Sequence, residues 1–388
     1  VIGRPGRALI HSARLVSGGS LTADSWVLFE NGVVGAVGTG STWRDVGVDA
    51  GATTNAAGRH LTPGFIDIHC HGGGGAAFDD GAEAIAAALA VHHRHGTTRA
   101  VLSLVTASQA DLESRVAVVA AEAERNPLVL GAHLEGPFLD ATFRGAHDPA
   151  LLQSPVPESV ERLLAVGRGQ IRQVTIAPEL PGAADALARF VAAGVRVAVG
   201  HSSADYETAR AAFDAGASIL THAFNGMNGI HHRAPGPVVA AMDSPGVVLE
   251  VINDGVHVHP SVVRLAFAGS PGRIALVTDA MAATGASDGH YLLGSLAVEV
   301  IDGVARLVDG GSIAGSTLTL DVALRNAVAA GIDLPDAVTA LTETPARAIG
   351  RTDLGLLAVG YAADAVLLGP DLTVDAVFAE GRLLSPTS

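Results

Sequence analysis

Eight apolar runs of strand length succeed one another between residues 64 and 281: "GFIDIHCH", "RAVLSLVT", "LVLGAHLEG", "QVTIAPEL", "VRVAVGHS", "SILTHAFN", "VVLEVINDG" and "RIALVTDAM". Between most of them lie Ala- and Leu-rich segments, such as 79–95, 108–125, 182–193 and 204–215. Several of these open on Asp or Ser and close on Gly, the punctuation of a helix. Parallel strands joined by helices bury both faces of their sheet, and eight such units close into a (β/α)8 barrel of the TIM type. The 388 residues leave room for a smaller module beyond the roughly 250 of such a barrel, and 48% hydrophobic composition supplies the core.

Residues 1–60 and 355–388 read differently, as short apolar runs with Gly turns, and Asn31-Gly32 is a hairpin signal. The expected layout is a small β-sandwich domain built from both chain termini (1–60 and 355–388) around a barrel over 61–354. The segment "GHYLLGSLAVEVIDGVARLVDGG" (289–311) reads as a β-hairpin insertion before the last helix.

The formal charge is -15, and all 24 basic residues are arginine. With no basic run, nucleic acid and anionic membrane surfaces are excluded as partners. One cysteine rules out an internal disulfide framework. No uncharged apolar stretch reaches the roughly 20 residues of a membrane helix, and the first 20 residues lack the apolar centre of a secretory signal. These features predict a cytoplasmic protein.

In a barrel of this type the chemistry sits where the strands end. Seven of the eight runs end in a potential ligand or acid-base group: His69 and His71, Glu135, Glu179, His201, His222, Asn253 with Asp254, and Asp279. The second ends in Thr106. His69 and His71 project from one side of their strand while Cys70 points away, as a small buried hydrophobe. A single histidine in a barrel is more often a hydrogen-bonded packing residue than a ligand. Together, though, these groups converge on one desolvated region, at a cost of several kcal/mol unless a cation compensates. Neutral imidazole and carboxylate are the usual ligands of a divalent metal.

"PGFIDIHCHG", "GAHLEGPFL", "VGHSSA", "THAFNGM" and "VTDAM" resemble the metal motifs of the amidohydrolase superfamily. With "DGVHV" and "AGST" in the same order, the chain resembles the N-acetylglucosamine-6-phosphate deacetylase family over nearly its whole length. That resemblance implies hydrolysis of the acetamide of a sugar phosphate in amino-sugar metabolism. It implies that Glu135, His201 and His222 hold the principal metal, and that His69 and His71 hold a second, with Glu135 bridging. The metal would be zinc, with iron, cobalt and manganese also suited to such ligands. Asp279 matches the catalytic acid-base, and His147, in "RGAHDP", the histidine that approaches the substrate carbonyl. Arg233 and His257 match the phosphate contacts, with Asn225 and the Gly226 amide alongside. Arg233 is expected to reach the neighbouring subunit's site in a homodimer. His231 and His232 have no assigned role.

The absence of lysine excludes a carboxylated-lysine bridge between metals, and a Schiff base with it. Other readings are a deacetylase for the galactosamine epimer or an aminoacylase, which would share the metal site and differ in the phosphate loop. A non-catalytic assembly protein on the same barrel would have lost ligands, and none is missing.

Overall fold

The computed structural model describes residues 6–386. Eight parallel strands form the barrel: β1 (Phe65–Cys70), β2 (Thr97–Val105), β3 (Val129–Glu135), β4 (Ile171–Ile176), β5 (Arg196–Val199), β6 (Ile219–Leu220), β7 (Val248–Ile252) and β8 (Ile274–Val277). They pair strictly in chain order from β1 to β8. Helices α1 (Ala82–Arg94), α2 (Gln109–Arg125), α3 (Pro157–Gly167), α4 (Ala183–Ala192), α5 (Tyr206–Asp214), α6 (Gly236–Met242) and α7 (Pro260–Gly269) fill the intervals between strands. One continuous apolar core joins strands and helices, with Phe65, Ile68, Leu134, Phe138 and Phe190 among its fully buried side chains.

The seam between β8 and β1 is closed by other means than a regular ladder. At its lower end the Ala340 and Leu341 carbonyls accept from the Leu276 and Ile66 amides (2.8 and 2.9 Å). In the middle the Asp67 carboxylate accepts from the Thr278 hydroxyl at 2.6 Å. At the top, Asp279 N donates to His69 O and His71 N to Ala280 O, both at 2.8 Å. The last of these closures lies among the predicted ligands, so closing the barrel and assembling the site are one event.

After β8 the expected hairpin is a three-stranded antiparallel sheet, Gly289–Leu293, Leu296–Ile301 and Val304–Leu307. The added strand turns at Asp302-Gly303, both with positive φ (50° and 73°), which is the Asp-Gly signature of a tight hairpin. Three helices follow instead of one: α8 (Leu320–Ala329), α9 (Leu334–Thr339) and α10 (Glu343–Ala348).

Strands from both termini form one hydrogen-bonded sheet. Arg7–Ser17, Ser20–Glu30 and Val33–Thr39 join, through His60–Pro63, to Ala365–Leu368, Val374–Ala379 and Arg382–Pro386. Phe29 and Phe378 lie on strands separated by three others along this path, yet their ring centroids are 6.2 Å apart. The sheet therefore folds over a core of its own, with Ile10, Val27, Leu61 and Leu367 buried beside that pair. The hairpin at Asn31-Gly32 turns with φ of 54° and 85°.

Candidate active site

His69 and Glu135 stand on the last turns of β1 and β3, facing the barrel axis, and His71 follows β1 by one residue. His201, His222 and Asp279 come two residues after β5, β6 and β8, each in left-handed backbone (φ 47°, 24° and 49°). Non-glycine residues take this conformation at a cost of about 1–3 kcal/mol, and it clusters where a function over-determines the backbone. Here it ends three ladders and turns three side chains onto one point.

That point is the Glu135 carboxylate. One oxygen lies 3.1 Å from His69 Nε2, 3.2 Å from His201 Nε2 and 3.2 Å from His222 Nε2. The other lies 3.0 Å from His71 Nε2 and 3.6 Å from His147 Nε2. Asp279 Oδ1 is 3.2 Å from His71 Nε2 and 3.4 Å from His69 Nε2. All of these residues are buried. Gly145 and Gly226 flank the His201 ring, where an added Cβ would come within 3.1 and 3.0 Å of it.

A divalent cation fits this arrangement. His201 Nδ1 lies 2.9 Å from the Phe143 carbonyl and His69 Nδ1 2.9 Å from the Glu250 carboxylate. Both partners accept, so each Nδ1 carries a proton, and each Nε2, once free of its own proton, presents a lone pair. Those lone pairs face carboxylate oxygens, and His222 Nε2 lies 3.0 Å from His201 Nε2. Acceptors aimed at acceptors in a dry interior need positive charge between them. Protons and a metal compete for the position. Burial alone would lower the His71 pKa, but its hydrogen bonds to Asp279 and Glu135 carry it up to about 9. Burial opposes ionisation of Glu135, yet the His69 charge and the surrounding imidazoles hold its carboxyl well below the usual range. Asp279 is lowered in the same way, against burial, by His69 and His71.

A cavity of about 290 Å³ opens above the cluster. His147 lines it and stays neutral, its pKa pushed to about 4 chiefly by burial, with Nδ1 2.8 Å from the Thr106 hydroxyl. His257, Asn225 and Gly226 line the cavity as well. Burial lowers the His257 pKa, but Asp254, 2.7 Å from its Nδ1, more than offsets that and raises it. Arg233 is not brought into the cavity. It is exposed, donates to His232 Nε2 at 2.7 Å, and lines a separate surface cleft with Asp205, Tyr206 and His231.

The remaining strand-end groups are structural. Glu179 accepts from the Ser202 hydroxyl (2.7 Å) and the Ser203 amide (2.6 Å), and Asn253 donates to the Ala323 carbonyl (3.0 Å). Cys70 is buried away from the cluster, its Sγ 3.3 Å from His92 Nε2, and burial holds its thiol neutral. Sequence reasoning missed Glu250. It sits inside β7 rather than at its end, fully buried, and binds His69. The available signal was a lone carboxylate within an apolar strand, which can be buried only with partners.

A model of the amidohydrolase family matches residues 60–384. An N-acetylgalactosamine-6-phosphate deacetylase of Escherichia coli O157:H7 is 39% identical over 331 residues, covering 84% of this chain and 88% of that protein. An N-acetylglucosamine-6-phosphate deacetylase of Vibrio furnissii is 37% identical over 334 residues, covering 84% and 82%. Among solved structures, a point mutant of N-acetyl-D-glucosamine-6-phosphate deacetylase from Mycobacterium smegmatis, in complex with N-acetyl-D-glucosamine-6-phosphate, superposes with a TM-score of 0.92. It is 42% identical, and the match covers 97% of this chain and 99% of that one. With imidazoles and carboxylates at the carboxyl ends of the barrel strands and a family match spanning the barrel, this chain belongs to the amidohydrolase family.

Proposed function

We propose that this chain hydrolyses the acetamide of N-acetyl-D-glucosamine 6-phosphate, releasing acetate and D-glucosamine 6-phosphate in amino-sugar catabolism. The observation that carries the reading is the convergence of four candidate ligand imidazoles on Glu135, with Asp279 and His147 facing the same cavity. The substrate is drawn from the deacetylases that the chain matches over most of its length.

Glu135, His201 and His222 would hold one metal, and His69 and His71 a second with Glu135 between them; zinc suits all five ligands. When bound, the metal supplies Lewis acidity for the carbonyl and lowers the pKa of water from about 15.7 toward 7. Asp279, kept ionised, takes the proton of the attacking water and returns it to the departing amine. His147 donates from Nε2 to the oxygen on which charge develops, which requires the Thr106 hydroxyl to donate to Nδ1. His257, held by Asp254, faces the phosphate with Asn225 and the Gly226 amide.

Arg233 completes the phosphate site from the partner subunit of a homodimer. It lies outside its own cavity, and Ile230 and Val256, on the two loops that carry Arg233 and His257, expose 47% and 43% of their surface. The proposed compartment is the cytoplasm, in keeping with the sugar-phosphate substrate that the matched deacetylases are named for. Among the described residues no helix is long and apolar enough to cross a membrane.

A second reading, in which the galactosamine epimer is the substrate, rests on the name of one relative at 39% identity, while the Vibrio furnissii relative and the Mycobacterium smegmatis structure bear the glucosamine name. Acetate release from both N-acetylhexosamine 6-phosphates and from unphosphorylated N-acetylglucosamine separates the cases. The glucosamine phosphate should be fastest and the unphosphorylated sugar far slower. A galactosamine preference would substitute the second reading, and no release from any of the three would reject both.

A further inference from the structure

Of the four candidate ligand imidazoles around Glu135, His69 is the one whose outer nitrogen meets a carboxylate. His201 Nδ1 has a carbonyl, while His71 Nδ1 and His222 Nδ1 have no hydrogen-bond partner among the described residues. The carboxylate is Glu250, fully buried on β7, two strands from β1 around the barrel. Its Oε2 lies 2.9 Å from His69 Nδ1 and also accepts from the His222 backbone amide at 3.3 Å. Its Oε1 accepts from Gln173 Nε2, on β4, at 2.7 Å. One buried carboxylate thus touches the side chain of one candidate ligand and the backbone that positions another, and a cross-barrel amide holds it in place.

We propose that Glu250 is a positioning residue for the metal site: it fixes the proton of His69 on Nδ1, aims Nε2 at the cluster, and couples the β1 ligands to the left-handed turn at His222. A neutral imidazole free of this contact can carry its proton on either nitrogen, and a proton on Nε2 blocks ligation. The contact with His222 N makes the same carboxylate bear on both proposed metal positions. Glu250 touches neither substrate nor metal in this account. The proposal rests on the metal reading above, and its test reads metal binding rather than turnover, so the two can fail separately.

The side chains around Glu250 allow a sharp pair of variants. In Glu250→Gln, the amide oxygen can face His69 and its NH2 can face Gln173. Gln173 Oε1 is buried with no hydrogen-bond partner among the described residues, so a flip of the Gln173 amide presents an acceptor to that NH2. The His69 tautomer is then retained. In Glu250→Leu no acceptor remains.

Zinc affinity is measured by chelator competition on full-length protein, with side-chain 15N spectra of the zinc-loaded protein reporting histidine tautomers. Loss of an outer partner costs about 10- to 100-fold in metal affinity. Glu250→Leu should show that loss at every site that binds zinc, whereas Glu250→Gln should stay within a few-fold of wild type with His69 protonated on Nδ1. His71→Asn, by contrast, should remove one metal and leave the affinity of the other. Should Glu250→Leu not fold, the double variant Gln173→Glu/Glu250→Gln moves the carboxylate across the same hydrogen bond and should keep wild-type affinity. Wild-type zinc affinity in folded Glu250→Leu overturns the proposal, and so does a zinc-loaded wild-type protein without an Nδ1-protonated His69. Equal large losses in Glu250→Gln and the double variant would make the charge at 250, not the tautomer, the relevant property, and overturn it equally.

Discussion

Asp279 and His71 share one contact at 3.2 Å and have opposite parts in the account. In the proposed reaction Asp279 carries the proton. Replacing it with Asn keeps its size and removes the base, so turnover should fall about 10²- to 10⁴-fold while metal content is retained. Near-native turnover in Asp279→Asn would move the base elsewhere. His71 competes for a proton where it should bind metal. Its pKa in the folded protein is raised from 6.5 to about 9, so in metal-free protein this ionic contribution is complete below pH 6.5 and is lost as pH rises through 9. Metal must displace that proton. Zinc affinity should therefore climb about tenfold per pH unit, per proton released, between 6.5 and 9, while the thermal midpoint of the metal-free protein drops over the same window. A zinc affinity independent of pH in that range would show that His71 holds no proton to displace.

The strand ends carry the site, and they divide what the sequence could and could not say. A polar residue ending an apolar run at a barrel's carboxyl face has few bland uses, so His69, His71, Glu135, His201, His222 and Asp279 were legible as a set. The strand period also says that Asp67, His133, Gln173 and Glu250 face the axis. Whether an axis-facing polar group meets a ligand or only its neighbours depends on which strands close on which, and that is not local information. Asp67 shows the consequence. It lies on β1, yet its carboxylate accepts from the Thr278 hydroxyl (2.6 Å) and amide (3.4 Å) across the seam and from the His69 amide (3.2 Å). Asp67→Ala would strand buried donors on both sides, so the metal-free protein should lose at least about 2 kcal/mol against urea, and Asp67→Asn less. A loss below about 0.5 kcal/mol in Asp67→Ala would place the strength of the seam elsewhere.

At the scale of the molecule, both the terminal sheet and the barrel were readable from where strand-like and helix-like periodicity begin and end. The third strand of the insertion was carried by a single Asp-Gly turn and passed unread. Arg233 was legible only through the family resemblance, because no local pattern in an exposed loop records what that loop meets on a second chain. If Arg233 serves the partner's phosphate site, Arg233→Ala should lower kcat/KM on the phosphorylated sugar about 10- to 150-fold and leave the unphosphorylated sugar nearly unchanged. Mixing it with Asp279→Asn protein should recover activity, since a hybrid dimer rebuilds one intact site. Equal losses on both sugars would make the loop structural. Beneath these details lies one claim, that the cluster around Glu135 holds the metal on which acetamide hydrolysis depends. It is tested most directly by following acetate release from N-acetyl-D-glucosamine 6-phosphate as zinc is stripped from the protein and returned. Release should fall to background with the bound zinc and recover in proportion to the zinc rebound, whereas a full rate from metal-free protein would contradict the account.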